Sequence, residues 1–144
     1  MKPARFIVLA TLVAFAAAAS AQAPTARSLF EQGAQAYLKD GANAAIAAWL
    51  KGSALEGNTQ ATSQANTLRQ IEDFYGRPES FEVLLENRIS ERSSMILAVV
   101  NYQKGGLYAR FQVFRLASGT WVITEFKLHT EAAVLFPNSA LYGR

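Results

Sequence analysis

The chain has 144 residues, of which 51% are hydrophobic and 17% charged, with a formal net charge of +3 and no cysteine. That length suits one domain with a single core, and the missing cysteines exclude disulfide staples, so the fold must rest on packing alone. Lysine and arginine are scattered with no run longer than one residue, which argues against an electrostatic footprint for nucleic acid or an anionic membrane.

The start reads Met1-Lys2-Pro3-Ala4-Arg5, then an apolar stretch from Phe6 to Ala18, then Ala19-Ser20-Ala21. A positive region, an apolar run and small residues in an A-x-A pattern predict a cleavable secretory signal over 1–21 and a single α+β domain over 22–144. A cut after Ala23 would also satisfy the small-residue rule, but it would place Pro24 directly after the scissile bond. A permanent anchor needs about 18 or more uninterrupted apolar residues, and Ser20 and Gln22 end the run too soon. The expected product is therefore exported, periplasmic or secreted, with no membrane span after cleavage. Cleavage removes Lys2 and Arg5, leaving 123 residues and lowering the net charge from +3 to +1.

The next segment has helical period. Ser28-Leu29-Phe30-Glu31 fits a capping box; Leu29, Phe30, Ala34, Tyr37 and Leu38 form one stripe, and Lys39-Asp40-Gly41 supplies a stop. A second helix is predicted from about Asn43 to Lys51, carrying Ile46, Trp49 and Leu50, and Gly52 and Gly57 bracket the following loop. A third, from about Thr59 to Tyr75, places Ala61, Ala65, Leu68, Ile71 and Tyr75 on one face. Gly76 and Pro78 end it.

After Pro78 the period falls to two. Phe81, Val83, Leu85 and Ile89 alternate with Glu82, Glu86 and Arg88, which predicts a first strand, and Ser90 to Ser94 make the turn. Met95 to Tyr102 is almost continuously apolar, as expected of a central strand covered on both faces. Gly105-Gly106 reads as a type I′ hairpin turn, followed by strands over Leu107 to Leu116 and Trp121 to Thr130, joined through Ser118-Gly119. A short helical turn near Glu131 to Leu135 and a tail ending at Arg144 complete the chain.

Three N-terminal helices packed on a curved four-stranded antiparallel meander make an α+β domain. On the last strand, period two places Val122, Phe126 and Leu128 on one side and Trp121, Ile123, Glu125, Lys127 and His129 on the other, so both sides begin apolar. Leu84, Phe114 and Leu116 are likewise out of phase with the core set. A second face this apolar requires a partner or a flap of its own chain. The expectation is a homodimer packed sheet against sheet through Trp121 and Ile123.

From Ser28 to Phe136, with the Gly105-Gly106 hairpin and the Trp121 to His129 strand as its clearest parts, this order of elements resembles the nuclear-transport-factor-two-like superfamily, the cystatin-like α+β cone. The resemblance implies a pocket between helices and sheet, for which Trp49, Tyr102, Tyr108 and Phe111 are the lining candidates. Its members include enzymes, ligand binders and assembly modules, so fold alone leaves function open. The segment Phe74-Tyr75-Gly76-Arg77-Pro78 also resembles uncharacterised exported bacterial proteins. Gly33, Ala45 and Trp49 sit at spacings similar to one tetratricopeptide repeat; a groove would need about three repeats, and the plainer reading is a tight helical hairpin.

His129 is the one histidine and so the one side chain with an ordinary pKa near neutrality. With Glu125 or Glu131 orienting it, it could serve as an acid/base centre in a small lyase or isomerase; otherwise it is a solvated strand end. Four residues along a strand span about 13 Å, which rules out direct contact between Glu125 and His129. A single histidine cannot close a zinc site, and Asp40 and Asp73 are far apart with no calcium loop. Lys104-Gly105-Gly106 lacks the spacing of a phosphate-binding loop, and Gly52-Ser53 lacks the setting of a serine nucleophile. The best reading is an exported non-enzymatic domain that needs no cofactor and binds a small apolar ligand or a protein partner. A small lyase or isomerase using His129, and a structural role in the envelope, are the alternatives.

Overall fold

The computed structural model describes residues 24–142, so the leader predicted over 1–21 lies outside the described residues. The elements run α1 (Ala26–Asp40), α2 (Ala42–Leu50), α3 (Thr59–Tyr75), β1 (Pro78–Arg88), β2 (Ser93–Tyr102), β3 (Gly105–Arg115), β4 (Trp121–His129), α4 (Ala132–Leu135) and α5 (Asn138–Tyr142). The strands form one antiparallel sheet in the order β1-β2-β3-β4. This is the α+β meander that the change of period implies.

Helix α1 starts earlier than the Ser28 capping box suggests. Thr25 is the cap: its Oγ1 accepts the Ser28 backbone N–H at 3.0 Å while Ser28 Oγ accepts the Thr25 N–H at 2.7 Å. Ser28 thus plays the reaching-back role usually taken by Glu or Gln, and Glu31 instead accepts from Arg27 Nε at 2.7 Å. Gly33 explains the close pairing of α1 with α2, because a Cβ there would stand 2.1 Å from Trp49 Cδ1 and Nε1. The indole N–H donates to the Phe30 carbonyl at 2.9 Å. Gly33, Ala45 and Trp49 therefore build one tight helical hairpin, which α3 and the sheet then follow. Asn58 caps α3 by accepting the Gln60 N–H at 3.0 Å.

The sheet's helix-facing side carries Ile96, Ala98, Val100 and Tyr102 from β2 and Leu107, Ala109, Phe111 and Val113 from β3, all buried with residues of α1, α2 and α3 in the main core. Two bulges decide what joins them. Opposite β2, Val83 pairs with Ala98 and Leu85 with Leu97, leaving Leu84 unmatched. Opposite β3, Ile123 pairs with Val113 and Glu125 with Gln112, leaving Thr124 unmatched. An extra residue in one strand reverses the facing of everything beyond it. Trp121 and Ile123 before the bulge and Phe126 and Leu128 after it consequently all pack on the main core. Strict alternation puts these two sets on opposite faces. The structure corrects that: Ile123 is 0% exposed against the helices, so it is not on the far face that a sheet-to-sheet dimer would use.

The far face holds a second, smaller cluster of Leu97, Leu135 and Phe136, with Met95, Tyr108, Ala132 and Leu141 packed around it. It is covered by the chain's own C-terminal segment.

The β2–β3 turn also differs from the type I′ expectation. Tyr102 pairs with Gly105, so Gln103 and Lys104 form the turn, and neither Gly105 nor Gly106 has positive φ. Gly105 is needed for another reason: a Cβ would come within 2.8 Å of the Tyr75 ring. The Lys104 N–H donates to the Tyr75 carbonyl at 3.0 Å and the Gln103 N–H to the Arg77 carbonyl at 3.2 Å. The Phe74 to Pro78 segment is therefore the joint that ties the end of α3 to this hairpin.

Candidate functional site

Helix-facing positions are filled. Phe111 lies 5.0 Å from Trp49 and stacks on Phe126 at 5.7 Å, centroid to centroid, and Phe30 contacts both Trp49 and Phe111. Tyr102 is buried with its hydroxyl 2.8 Å from that of Tyr37. Burial pushes the Tyr102 phenol up to about 12, with the nearby Glu72 charge adding to it and the Tyr37 hydrogen bond opposing it. Burial, followed by the bond to Tyr102, drives Tyr37 further up still. Both phenols are neutral at any physiological pH and serve as packing with a satisfied polar tip. Three of the four aromatic lining candidates, Trp49, Tyr102 and Phe111, are thus interior. A cavity of about 110 Å³ does open at the helix–sheet seam, lined by Leu50, Leu55, Gln64, Glu125 and Phe126 among others. That is well below the ~300 Å³ at which ligand pockets begin.

Two grooves larger than this cavity are on the far face, while a wide, open depression of about 590 Å³ lies along α1 between Ser28, Glu31, Gln32, Gln35 and Phe81. The bulge at Leu84 turns Leu85 to oppose Leu97, and the C-terminal segment packs over β3 and β4, with Leu135 and Phe136 clustered on Leu97. Two contacts anchor that segment. Phe136 meets the Tyr108 ring edge to face at 5.5 Å, and Arg110 Nη1 donates to the Leu135 carbonyl at 3.4 Å. Between the β1 bulge and the segment lies a groove of about 400 Å³, whose walls include Leu84, Leu85, Leu97, Tyr108, Phe136 and Leu141. A second groove of about 400 Å³ runs along the other flank of α4, sharing Leu85, Leu97 and Phe136 and adding Met95, Arg110 and Val134. Tyr108 is the one sequence candidate that borders this space, and it does so from the far face, away from the helices. Leu135 and Phe136 supply the flap of the chain's own that an apolar second face calls for.

His129 sits opposite Tyr108 on the far face, at the end of β4. Its Nδ1 accepts the Glu131 backbone N–H at 3.0 Å. Glu131 supplies its N–H there and not its carboxylate. Glu125 lies 3.3 Å from Lys127 Nζ and 3.7 Å from Arg110 Nη2. Among the described residues the structure therefore brings Glu125, Lys127 and Arg110 together and leaves the imidazole bonded to the backbone. No group of three or more His, Cys, Asp or Glu among the described residues is placed to hold a metal ion, and no described helix is long and apolar enough to cross a membrane.

No family model, curated protein or solved structure matches this chain.

Proposed function

We propose that this protein is an exported binding domain that takes an apolar ligand on the far face of its sheet, in the groove between the β1 bulge and the C-terminal segment. The observation that carries the reading is that groove: about 400 Å³, lined by aliphatic residues with Tyr108 and Phe136. Its volume falls within the range of small-molecule sites, and its few polar groups suit holding a ligand over transforming it. The leader pattern over residues 1–21 supports the export part of the reading.

Nile red titration of the chain from Gln22 tests the proposal. Leu85→Gln makes the wall polar and Ala140→Trp fills the space; both positions are exposed or at the rim, so folding should be unaffected. Each should weaken dye binding at least tenfold with an unchanged melting temperature. Equal binding by all three proteins would refute the site.

A second reading is favoured by the exposure of Leu84 (48%) and Leu85 (46%), which would let another copy of the chain cover the rim. Light scattering separates the two, since dimerisation predicts a doubled mass that Leu85→Gln returns to the monomer value.

A further inference from the structure

Arg88, Arg92 and Arg115 are separated in the chain but gathered in the fold. The meander brings the β1–β2 and β3–β4 turns to the same end of the sheet, and the turns are bonded to each other. The Arg115 N–H donates to the Arg92 carbonyl at 2.7 Å, and Arg92 Nε donates to the Arg115 carbonyl at 2.9 Å. The Arg92 guanidinium lies 4.8 Å from the Phe114 centroid and that of Arg115 lies 5.8 Å from Trp121. Phe114 is on the far face and Trp121 packs towards the helices, so the two cations flank the sheet end. At the tips, Ile89 is 55% and Leu116 39% exposed. Glu91 is the one carboxylate within the two turns, and Glu86, nearby on β1, exerts its charge on Arg27. Among the described residues none of the three arginines pairs with a carboxylate within 4.0 Å.

We propose that this end of the sheet docks on an anionic lipid bilayer. Scatter along the chain argues against a basic surface, but tertiary structure reverses that reading. Three guanidiniums match lipid phosphates, and two exposed aliphatic side chains at the outermost turns match the acyl boundary just beneath them. Trp121 stands where an indole settles at headgroup level. An acidic protein or a nucleic acid would satisfy the cations but leave Ile89 and Leu116 facing a polar partner. Nucleic acid would also want free ring faces for stacking, whereas guanidiniums cover Phe114 and Trp121. The surface does not involve the far-face groove, so either proposal can fail alone.

The test uses the chain from Gln22, whose two apolar clusters lie wholly between Ala26 and Leu141. It is sedimented with vesicles of phosphatidylcholine alone or of phosphatidylcholine and phosphatidylglycerol in equal parts. Binding should require phosphatidylglycerol, weaken with added salt and shift tryptophan emission to the blue. Arg88→Gln with Arg115→Gln should lower partitioning roughly 25-fold, at about fivefold per arginine. Arg92 is kept because it joins the turns. Ile89→Ser with Leu116→Ser, which alters exposed side chains at the tips, should abolish the emission shift and the binding that survives raised salt. Equal partitioning into both vesicle types, or no loss in the arginine variant, overturns the proposal. So does heparin binding as tight as vesicle binding and indifferent to the serine variant, which would assign the surface to a soluble polyanion.

Discussion

The two faces of this sheet are built from similar residues but to different ends. Against the helices, Trp49, Phe30, Phe111 and Phe126 interlock around a glycine that admits an indole. On the other side a short apolar cluster is covered by a segment with grooves along both flanks. Dense packing around the aromatic cluster leaves only a cavity of about 110 Å³ at the seam and should carry most of the stability, while the loose cover leaves grooves of about 400 Å³ and should contribute less. Burial alone therefore does not locate a binding site; the incompleteness of the cover does.

The contrast can be broken most directly at Phe111. Phe111→Ala should cost about 3–5 kcal/mol, read from urea unfolding, and a loss under about 1.5 kcal/mol would mean that the helix-facing side is not the seat of stability. Leu97→Ala, its far-face counterpart, should cost about 2 kcal/mol, at the low end because the neighbouring grooves let the site relax. The tyrosine pair sharpens the comparison through pH. Because the folded-state phenol pKa values lie above the unfolded value near 10, their contribution is complete below pH 10 and lost as pH rises towards 12 and beyond. Stability should fall by roughly 1.4 kcal/mol per pH unit for each phenol, and Tyr37→Phe with Tyr102→Phe should flatten that slope. The smallest effect belongs to Arg110→Gln. Losing one long bond to Leu135 and a half-exposed ion pair should cost under about 1 kcal/mol, yet amide exchange in α4 and α5 should quicken while the main core stays protected.

Much of the fold was legible because period and punctuation agree. Helix α3 has an apolar stripe with Asn58 before it and Gly76 after it, and it forms as that pattern indicates. What was not legible is phase. Trp121 and Ile123 followed by Phe126 and Leu128 look like two apolar faces when read at period two, and only the pairing partner on β3 reveals the extra residue at Thr124. Glycine misled in the same way: Gly105 reads as turn chemistry, but what requires it is the Tyr75 ring, brought close by a helix far away in sequence. For the site, composition does not distinguish a large aromatic that lines a pocket from one that fills the core: Trp49, Tyr102 and Phe111 are buried, and of the four candidates only Tyr108 borders a groove. The arginine cluster joins two turns distant in sequence, so no local pattern could have announced it.

The placement of the bulges has one more consequence. The inner pairing, β2 with β3, runs without a register shift, whereas the outer strands β1 and β4 are each interrupted, β1 at Glu79 and Leu84 and β4 at Thr124. Those outer strands are the only two with a free backbone edge in this four-stranded sheet. An interrupted, twisted edge is a poor template for a further strand. In a chain with no cysteine to form a disulfide, the irregularities that redirect side chains between faces also make each outer strand a less regular template for edge-to-edge pairing.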